Sequence, residues 1–270
     1  MNAKSFMRLA CWLGLLSVAL FVFACRTSEP AKPEGQQAAS EITVSAAASL
    51  QEAFREIGKQ YEARTGTRAN FNFGASGALQ KQIESGAPVD VFASAGRPQM
   101  EALVSQGLIA QEAQRDFARN ALVLVVPADQ ALELKSFADL SGAQVKRLAV
   151  GNPKTVPAGQ YAEQSLTRLG LWQQLQPRLV LGEDVRQVLD YVARAEVEAG
   201  VVYASDVRAR DNRARIVARA PADSHDPILY PIAVVRASKH GEAARAFIDA
   251  VLSDEGQRSL EKYGFERARQ

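Results

Sequence analysis

From residue 41 onward, the chain alternates short apolar runs with longer segments of helical periodicity. Residues 42–45 form a β-rich run, and apolar side chains from Leu50 to Tyr61 then recur at helical spacing until Gly66. The same alternation continues through an apolar run at 122–126 to a late strand at 232–235. This order of strands and helices predicts an α/β architecture with mostly parallel sheets.

The number of segments, about ten strands and as many helices, is more than one small sheet needs. The sequence therefore predicts two lobes. We place the crossings between them near Asn120 and Asp223. Residues 41–119 and 224–270 then form lobe 1, and residues 120–223 form lobe 2.

Residues 1–25 have the composition of a secretory signal. Lys4 and Arg8 precede an almost unbroken apolar stretch that ends at Cys25. Residues 22–24 together with Cys25 resemble a bacterial lipoprotein cleavage box, which predicts that Cys25 carries a lipid. An uncleaved anchor helix and ordinary signal cleavage without a lipid are the alternatives.

The segment that follows, residues 26–40, is polar and contains proline, which predicts a disordered tether. Both cysteines, Cys11 and Cys25, lie in the signal, so the mature chain has no disulfide framework and no cysteine metal site. A lipid-bearing end and a tether predict an exported protein, in the periplasm or at the cell surface, that is anchored to a membrane without spanning it. The net charge of +2 gives no indication of a nucleic-acid partner.

Four strand-to-helix junctions have residues suited to binding an anion. Ser49 and Ser76 lie among small residues at helix N-cap positions, Pro157 suits a first helical turn, and acidic residues precede Val185. Helix N-termini at the carboxyl ends of strands offer unpaired N–H donors and about half a positive charge each. Four such ends would offset about two negative charges, which suits a dianion.

Each serine taken singly is also explained as an ordinary helix cap. The cationic side chain nearest to the junctions is Arg186, and its place at the second position of a helix predicts that it points outward. Asp206 is predicted to cap a helix or to bridge the lobes.

Seven segments spread over residues 41–266 resemble the periplasmic molybdate-binding proteins of bacterial ABC importers. They are ITVSAAASL at 42–50, QIESGAPVDVF at 82–92, LAVGNP at 148–153, VPAG at 156–159, EDVR at 183–186, GVVYASD at 200–206 and YPIAVV at 230–235.

The resemblance implies the type II periplasmic-binding-protein fold, in which two α/β lobes close on a ligand in the cleft between them. It implies that molybdate or tungstate is held by the hydroxyls of Ser49 and Ser76, the backbone N–H groups of Ala158 and Val185, and the phenol of Tyr203. It further implies no catalytic residue, no cofactor and no direct bond from the protein to molybdenum. We expect a monomer whose partner is the permease of the molybdate importer.

Two other kinds of function remain open from the residues alone. A receptor for sulfate or phosphate would use the same helix N-termini, and sulfate is fully ionised as molybdate is. A serine-dependent hydrolase would need a base beside Ser49 or Ser76. The two histidines, His225 and His240, are predicted to face solvent, so we expect no enzyme.

Overall fold

The computed structural model describes residues 40–209 and 213–268. The predicted signal at 1–25, the predicted lipidation site Cys25 and all but the last residue of the predicted tether lie outside the described residues.

Eleven strands and nine α-helices lie within the described residues. The strands are β1 (Glu41–Ala47), β2 (Arg68–Gly74), β3 (Val91–Ala93), β4 (Arg115–Arg119), β5 (Leu122–Pro127), β6 (Leu148–Gly151), β7 (Leu179–Gly182), β8 (Ala199–Tyr203), β9 (Ala214–Arg219), β10 (Leu229–Val234) and β11 (Glu266–Arg267). The helices are α1 (Gln51–Thr65), α2 (Ser76–Glu84), α3 (Arg97–Ser105), α4 (Pro157–Arg168), α5 (Trp172–Leu175), α6 (Val185–Ala193), α7 (Ala204–Arg208), α8 (Gly241–Leu252) and α9 (Asp254–Lys262). Short 3₁₀ turns occupy Ala48–Leu50, Gln111–Ala113, Phe137–Ser141 and Gln176–Arg178.

The strands form two separate sheets. One has the order β11-β4-β10-β3-β1-β2 and the other has the order β7-β6-β8-β5-β9. The strands of the first sheet lie within 41–119 and 229–267, and those of the second lie within 122–219. The predicted α/β architecture with two lobes is confirmed. The residue limits of the lobes, at 119/120 and 223/224, fall in the connections between the sheets and stay predictions.

The prediction of mostly parallel sheets is wrong. The pairs of β1 with β2 and β3, and of β6 with β7 and β8, are parallel, but β5 and β10 run antiparallel to both of their neighbours. The reason is visible in the register, since Leu122 at the start of β5 pairs with Tyr203 at the end of β8. A strand that enters a sheet from the other lobe begins beside the carboxyl ends of the parallel strands. It therefore runs antiparallel to them.

Helices cover the sheets with apolar faces, as the periodicity predicted. On α1, Phe54 packs against Phe71, Phe117 and Phe247, with ring centroids 5.7–6.2 Å apart. The helix ends where Gly66 adopts a left-handed conformation with φ of 69°, which glycine accepts without a steric penalty. Within the described ranges, no helix has the length and apolar character that crossing a bilayer requires.

Candidate functional site

The carboxyl ends of the six parallel strands meet at one small cavity between the two sheets. Lobe 1 contributes residues that follow β1, β2 and β3, and lobe 2 contributes residues that follow or end β6, β7 and β8. The lining residues are Ala47, Ala48, Ser49, Gly74, Ala75, Ser76, Ala95, Val156, Pro157, Ala158, Asp184, Val185 and Tyr203. All five residues predicted to bind the ligand are therefore brought together, while their role as ligand contacts stays a prediction.

Helix N-termini supply unpaired backbone donors to this cavity. Helix α4 begins with a proline, so the N–H of Ala158 lies in the first turn, where no intrahelical acceptor exists. Helix α6 is capped by Asp184, whose carboxylate accepts from the N–H groups of Arg186 at 2.8 Å and Gln187 at 3.0 Å. This cap leaves the N–H of Val185, the first residue of α6, as the open donor at that helix end.

The two serines lie in helical turns and do not cap them, contrary to the prediction. Ser49 lies within the turn Ala48–Leu50, and Ser76 is the first residue of α2. The N-cap positions are occupied by Ala47 and Ala75, so Ser49 lies two positions and Ser76 one position past the cap, and neither hydroxyl makes a capping hydrogen bond. Instead, the Ser76 hydroxyl accepts from the N–H of Ala95 at 3.0 Å, and Ser49 Oγ lies 3.1 Å from Tyr230 Oη.

Tyr203 spans the cavity from the second lobe to the first. Its phenol donates to the carbonyl of Ala95 at 3.1 Å. Burial raises the pKa of Tyr203 well above 10, so the phenol stays neutral. A phenol has a single proton, so donation from Tyr203 to a ligand requires its hydroxyl to turn away from Ala95.

The two lobes also touch beside the cavity. The N–H of Gly77 in lobe 1 donates to the carbonyl of Thr155 in lobe 2 at 2.9 Å. A second contact joins Gln99 Nε2 to Gln160 Oε1 at 3.1 Å. These two hydrogen bonds add to the one that Tyr203 makes to Ala95 across the cleft.

Comparison with known proteins places this architecture in a family. A family model described as bacterial extracellular solute-binding protein matches residues 42–266. The chain belongs to the bacterial extracellular solute-binding proteins. The molybdate-binding protein ModA of Haemophilus influenzae is 38% identical to it over 232 residues, which cover 84% of this chain and 91% of that protein.

Two further relatives of this solute-binding protein agree with that result. A Bacillus subtilis protein named as an ABC transporter substrate-binding lipoprotein, YvgL, is 40% identical over 261 residues, 96% of this chain and 98% of that protein. A solved structure named as the substrate-binding domain of a molybdenum ABC transporter from Clostridium difficile is 38% identical, has a TM-score of 0.67, and covers 85% of this chain and 100% of its own. The predicted relationship to the molybdate-binding proteins and the periplasmic-binding-protein fold are confirmed.

Arg186 does not point outward, contrary to the prediction. Its side chain is buried, and its Nε and Nη2 atoms donate to the carbonyls of Ala48 at 3.2 Å and Ser49 at 3.3 Å. The same guanidinium pairs with Glu52 of α1. The prediction failed because the first turn of α6 faces lobe 1, so a side chain directed away from lobe 2 enters the interface between the lobes.

Asp206 lies on the other side of the Arg186 guanidinium. Its carboxylate accepts from the N–H of Tyr203 at 3.0 Å, so the prediction that Asp206 caps a helix is confirmed, and its second oxygen lies 3.4 Å from Arg186 Nε. Burial raises the pKa of Asp206 from 3.8 to about 6, and Arg186 opposes that shift. Since the folded-state pKa is the higher one, ionisation of Asp206 subtracts stability as the pH rises through this interval.

No histidine lies in the described lining of the cavity. His240 is exposed and lies 3.2 Å from Asp90, so the prediction that it faces solvent is confirmed. His225 is only half-exposed, because its ring lies edge-on to Tyr161 with centroids 5.9 Å apart. The described residues also contain no group of three or more histidine, cysteine or acidic side chains that could hold a metal ion.

Sequence reasoning missed Tyr230 as a neighbour of the site. Its ring packs edge-on against Phe117, Tyr203 and Phe265, and its hydroxyl reaches Ser49. A tyrosine inside an apolar strand is ordinarily interpreted as core. The available signal was its hydroxyl, which needs a polar partner when it is buried.

The position of Arg186 leads to a prediction on stability. In Arg186→Met, the carboxylates of Glu52 and Asp206 lose their buried partner, so we expect the free energy of unfolding to fall by about 3–5 kcal/mol in urea denaturation. The matched control is Arg64→Met, because Arg64 forms an exposed ion pair with Glu255 and should cost less than about 1 kcal/mol. Equal losses in the two variants would contradict the role assigned to Arg186.

Proposed function

We propose that this solute-binding protein captures molybdate or tungstate outside the cytoplasm and delivers it to the permease of an ABC importer. The observation that carries the proposal is the convergence of four helix N-termini and two serine hydroxyls on one cavity. Its described lining includes no lysine, arginine or histidine. The relatives named for molybdate support the choice of ligand.

The charge of the site suits a fully ionised ligand. Four helix ends supply about two positive charges in total, which matches a dianion. The one acidic lining residue, Asp184, has its carboxylate engaged by two N–H groups of α6. Donors therefore outnumber acceptors around the cavity, and an oxyanion that keeps a proton would lack a partner for it.

Membership of the solute-binding proteins supports a proposal for the partner and the location of this protein. The ligand is held through its oxygen atoms, with no cofactor and no bond from a side chain to molybdenum. The protein acts as a monomer that meets a membrane permease. A lipid on Cys25 would hold it at the membrane, and the Bacillus subtilis relative named as a lipoprotein supports this anchor.

Isothermal titration calorimetry of the purified protein tests the ligand. We expect one molybdate, or one tungstate, to bind per chain, with sulfate and phosphate at least about 100-fold weaker. Selectivity against sulfate follows from the larger tetrahedron of molybdate, and selectivity against phosphate follows from the shortage of acceptors. Comparable affinity for sulfate would make this a general receptor for ionised oxyanions and end the molybdate assignment. Binding of none of these anions would refute the proposal as a whole.

The Ser49 hydroxyl is expected to act on the ligand more than on the fold. Ser49→Ala removes a donor to a charged ligand, so the Kd for molybdate should rise about 10- to 100-fold in calorimetry. The matched control is Ser259→Ala, since Ser259 is equally buried but bonds Gln60 and Glu56 away from the cavity. That control should lower the unfolding midpoint and leave the Kd unchanged. An unchanged Kd in Ser49→Ala would remove Ser49 from the site.

Contact between the lobes is expected to be required for tight binding. A Cβ atom at Gly77 would lie 2.5 Å from the carbonyl oxygen of Thr155 and 2.9 Å from its Cα, so Gly77→Ala forces the lobes apart. We expect the Kd for molybdate to rise about tenfold, because the closed state becomes less populated. Gly241→Ala is the control, as its Cβ would meet only the Arg245 side chain at 3.5 Å. Wild-type affinity in Gly77→Ala would show that this contact does not govern closure.

A further inference from the structure

A series of hydrogen-bonded polar side chains leads from the connection between the lobes to Ser49. Asn120 lies in the connection between β4 and β5, and its Nδ2 donates to Tyr230 Oη at 3.1 Å. Tyr230 Oη in turn lies 3.1 Å from Ser49 Oγ. Tyr230 is 0% exposed and Ser49 is 2% exposed, while Asn120 is half-buried. The bond between the two hydroxyls is therefore shielded from solvent.

The direction of the first hydrogen bond is set by the orientation of the Asn120 amide. Asn120 Oδ1 accepts from the N–H of Ala121 at 2.9 Å. Only an oxygen can fill that place, so Nδ2 is the atom that faces Ser205 Oγ at 2.8 Å and Tyr230 Oη at 3.1 Å. An amide NH₂ group donates and does not accept. The Tyr230 oxygen is therefore the acceptor in its bond with Asn120.

The direction of the second hydrogen bond follows from the first. Burial raises the pKa of Tyr230 well above 10, so the phenol keeps its proton. That proton cannot be directed at Asn120 Nδ2, which carries its own protons. The described residues place two groups within hydrogen-bond distance of Tyr230 Oη, Asn120 Nδ2 and Ser49 Oγ. Of these two, Ser49 Oγ is the one that can accept, so Tyr230 donates to Ser49.

Ser49 is left with one free proton as a result. Its oxygen accepts a hydrogen bond from Tyr230. The Ser49 O–H is therefore directed away from Tyr230 and toward the cavity that Ser49 lines. The Ser76 hydroxyl oxygen also accepts a hydrogen bond, in this case from the backbone N–H of Ala95. Both serines are thereby set as donors before any ligand arrives.

We propose that Tyr230, oriented by Asn120, is a positioning residue that fixes the Ser49 hydroxyl as a donor to the bound oxyanion. The inference rests on the proposed function, since it assigns a direction to a contact with the ligand. It also adds a basis for selectivity. A serine whose proton is directed at the ligand favours a ligand oxygen without a proton, and it penalises a ligand oxygen that carries one.

A double-mutant cycle in molybdate titrations tests this role. Tyr230→Phe keeps the aromatic packing and removes only the hydroxyl, so we expect the Kd to rise about three- to tenfold. In a Ser49→Ala background, the same Tyr230→Phe change should alter the Kd by less than about twofold, because its effect passes through Ser49. Equal effects in the two backgrounds would overturn the proposal.

A second buried tyrosine provides the matched control. The Tyr61 hydroxyl donates to the carbonyl of Ala243 at 2.9 Å, in lobe 1 and away from the cavity. Tyr61→Phe removes a hydrogen bond of the same kind, so it should shift the unfolding midpoint and leave the Kd unchanged. A rise in Kd equal to that of Tyr230→Phe would mean that loss of stability alone explains the weaker binding.

A variant that reverses the direction of these two hydrogen bonds provides an independent measurement. The carboxylate in Asn120→Asp accepts hydrogen bonds, so it draws the Tyr230 proton toward itself, and the phenol oxygen then accepts the Ser49 proton. We expect the Kd to rise about tenfold or more in this variant. Adding Tyr230→Phe should recover part of that loss, since the phenol oxygen that diverts the Ser49 proton is gone. No recovery in the double variant would show that the introduced charge acts alone, and the proposal would fail.

The outcomes also separate this proposal from the function on which it rests. If the wild-type protein binds no oxyanion, the proposed function fails. If wild-type protein binds molybdate and Tyr230→Phe binds it equally well, the proposed function stands and the role of Tyr230 is refuted.

Discussion

Unpaired N–H groups at helix N-termini are the constraint on which the rest of this structure depends. They act on a ligand only if several helix ends approach one point, and parallel strands bring them there because each strand delivers the next helix at the same edge of the sheet. Two sheets whose strands point their carboxyl ends at the same cavity double the number of helix N-termini there. The strands that join the lobes must then enter from that shared edge, which is why β5 and β10 run against their neighbours.

Positive charge in this protein lies beside the site and not in the described lining of the cavity. Arg186 lies close to Ser49, yet its guanidinium is occupied by backbone carbonyls of lobe 1 and by the carboxylates of Glu52 and Asp206. The cavity therefore presents neutral donors, while the arginine holds together the segments that carry them. Burial of such a cluster is costly unless each ion keeps its partner. The ion pairs of Arg186 therefore favour the closed cleft, and the closed cleft keeps these ions paired.

The features that depend on local sequence were predicted well. Strand and helix periodicity indicated two α/β lobes, and strand-to-helix junctions with small residues indicated the positions that line the cavity. The features that depend on contact between the lobes were not predicted from the sequence. Arg186 and Tyr230 behave as a surface cation and a core aromatic when considered within their own elements. Only the meeting of α6 with α1, and of β10 with the turn at Ala48–Leu50, gives them a role at the site. Strand direction failed for a similar reason, because periodicity carries no information on the edge from which a strand enters.

The contact between Gly77 and Thr155 has a consequence for timing. Nearly all residues that line the cavity are buried, so a trapped anion leaves only while the lobes stand apart. The residence time of an anion bound there would then depend on how often the lobes separate, as well as on the bonds that the anion makes to both lobes. A membrane partner that holds the lobes open would shorten that residence time without altering any group in the cavity. Release of the anion would then be accelerated from the outer surface of the lobes, away from the cavity.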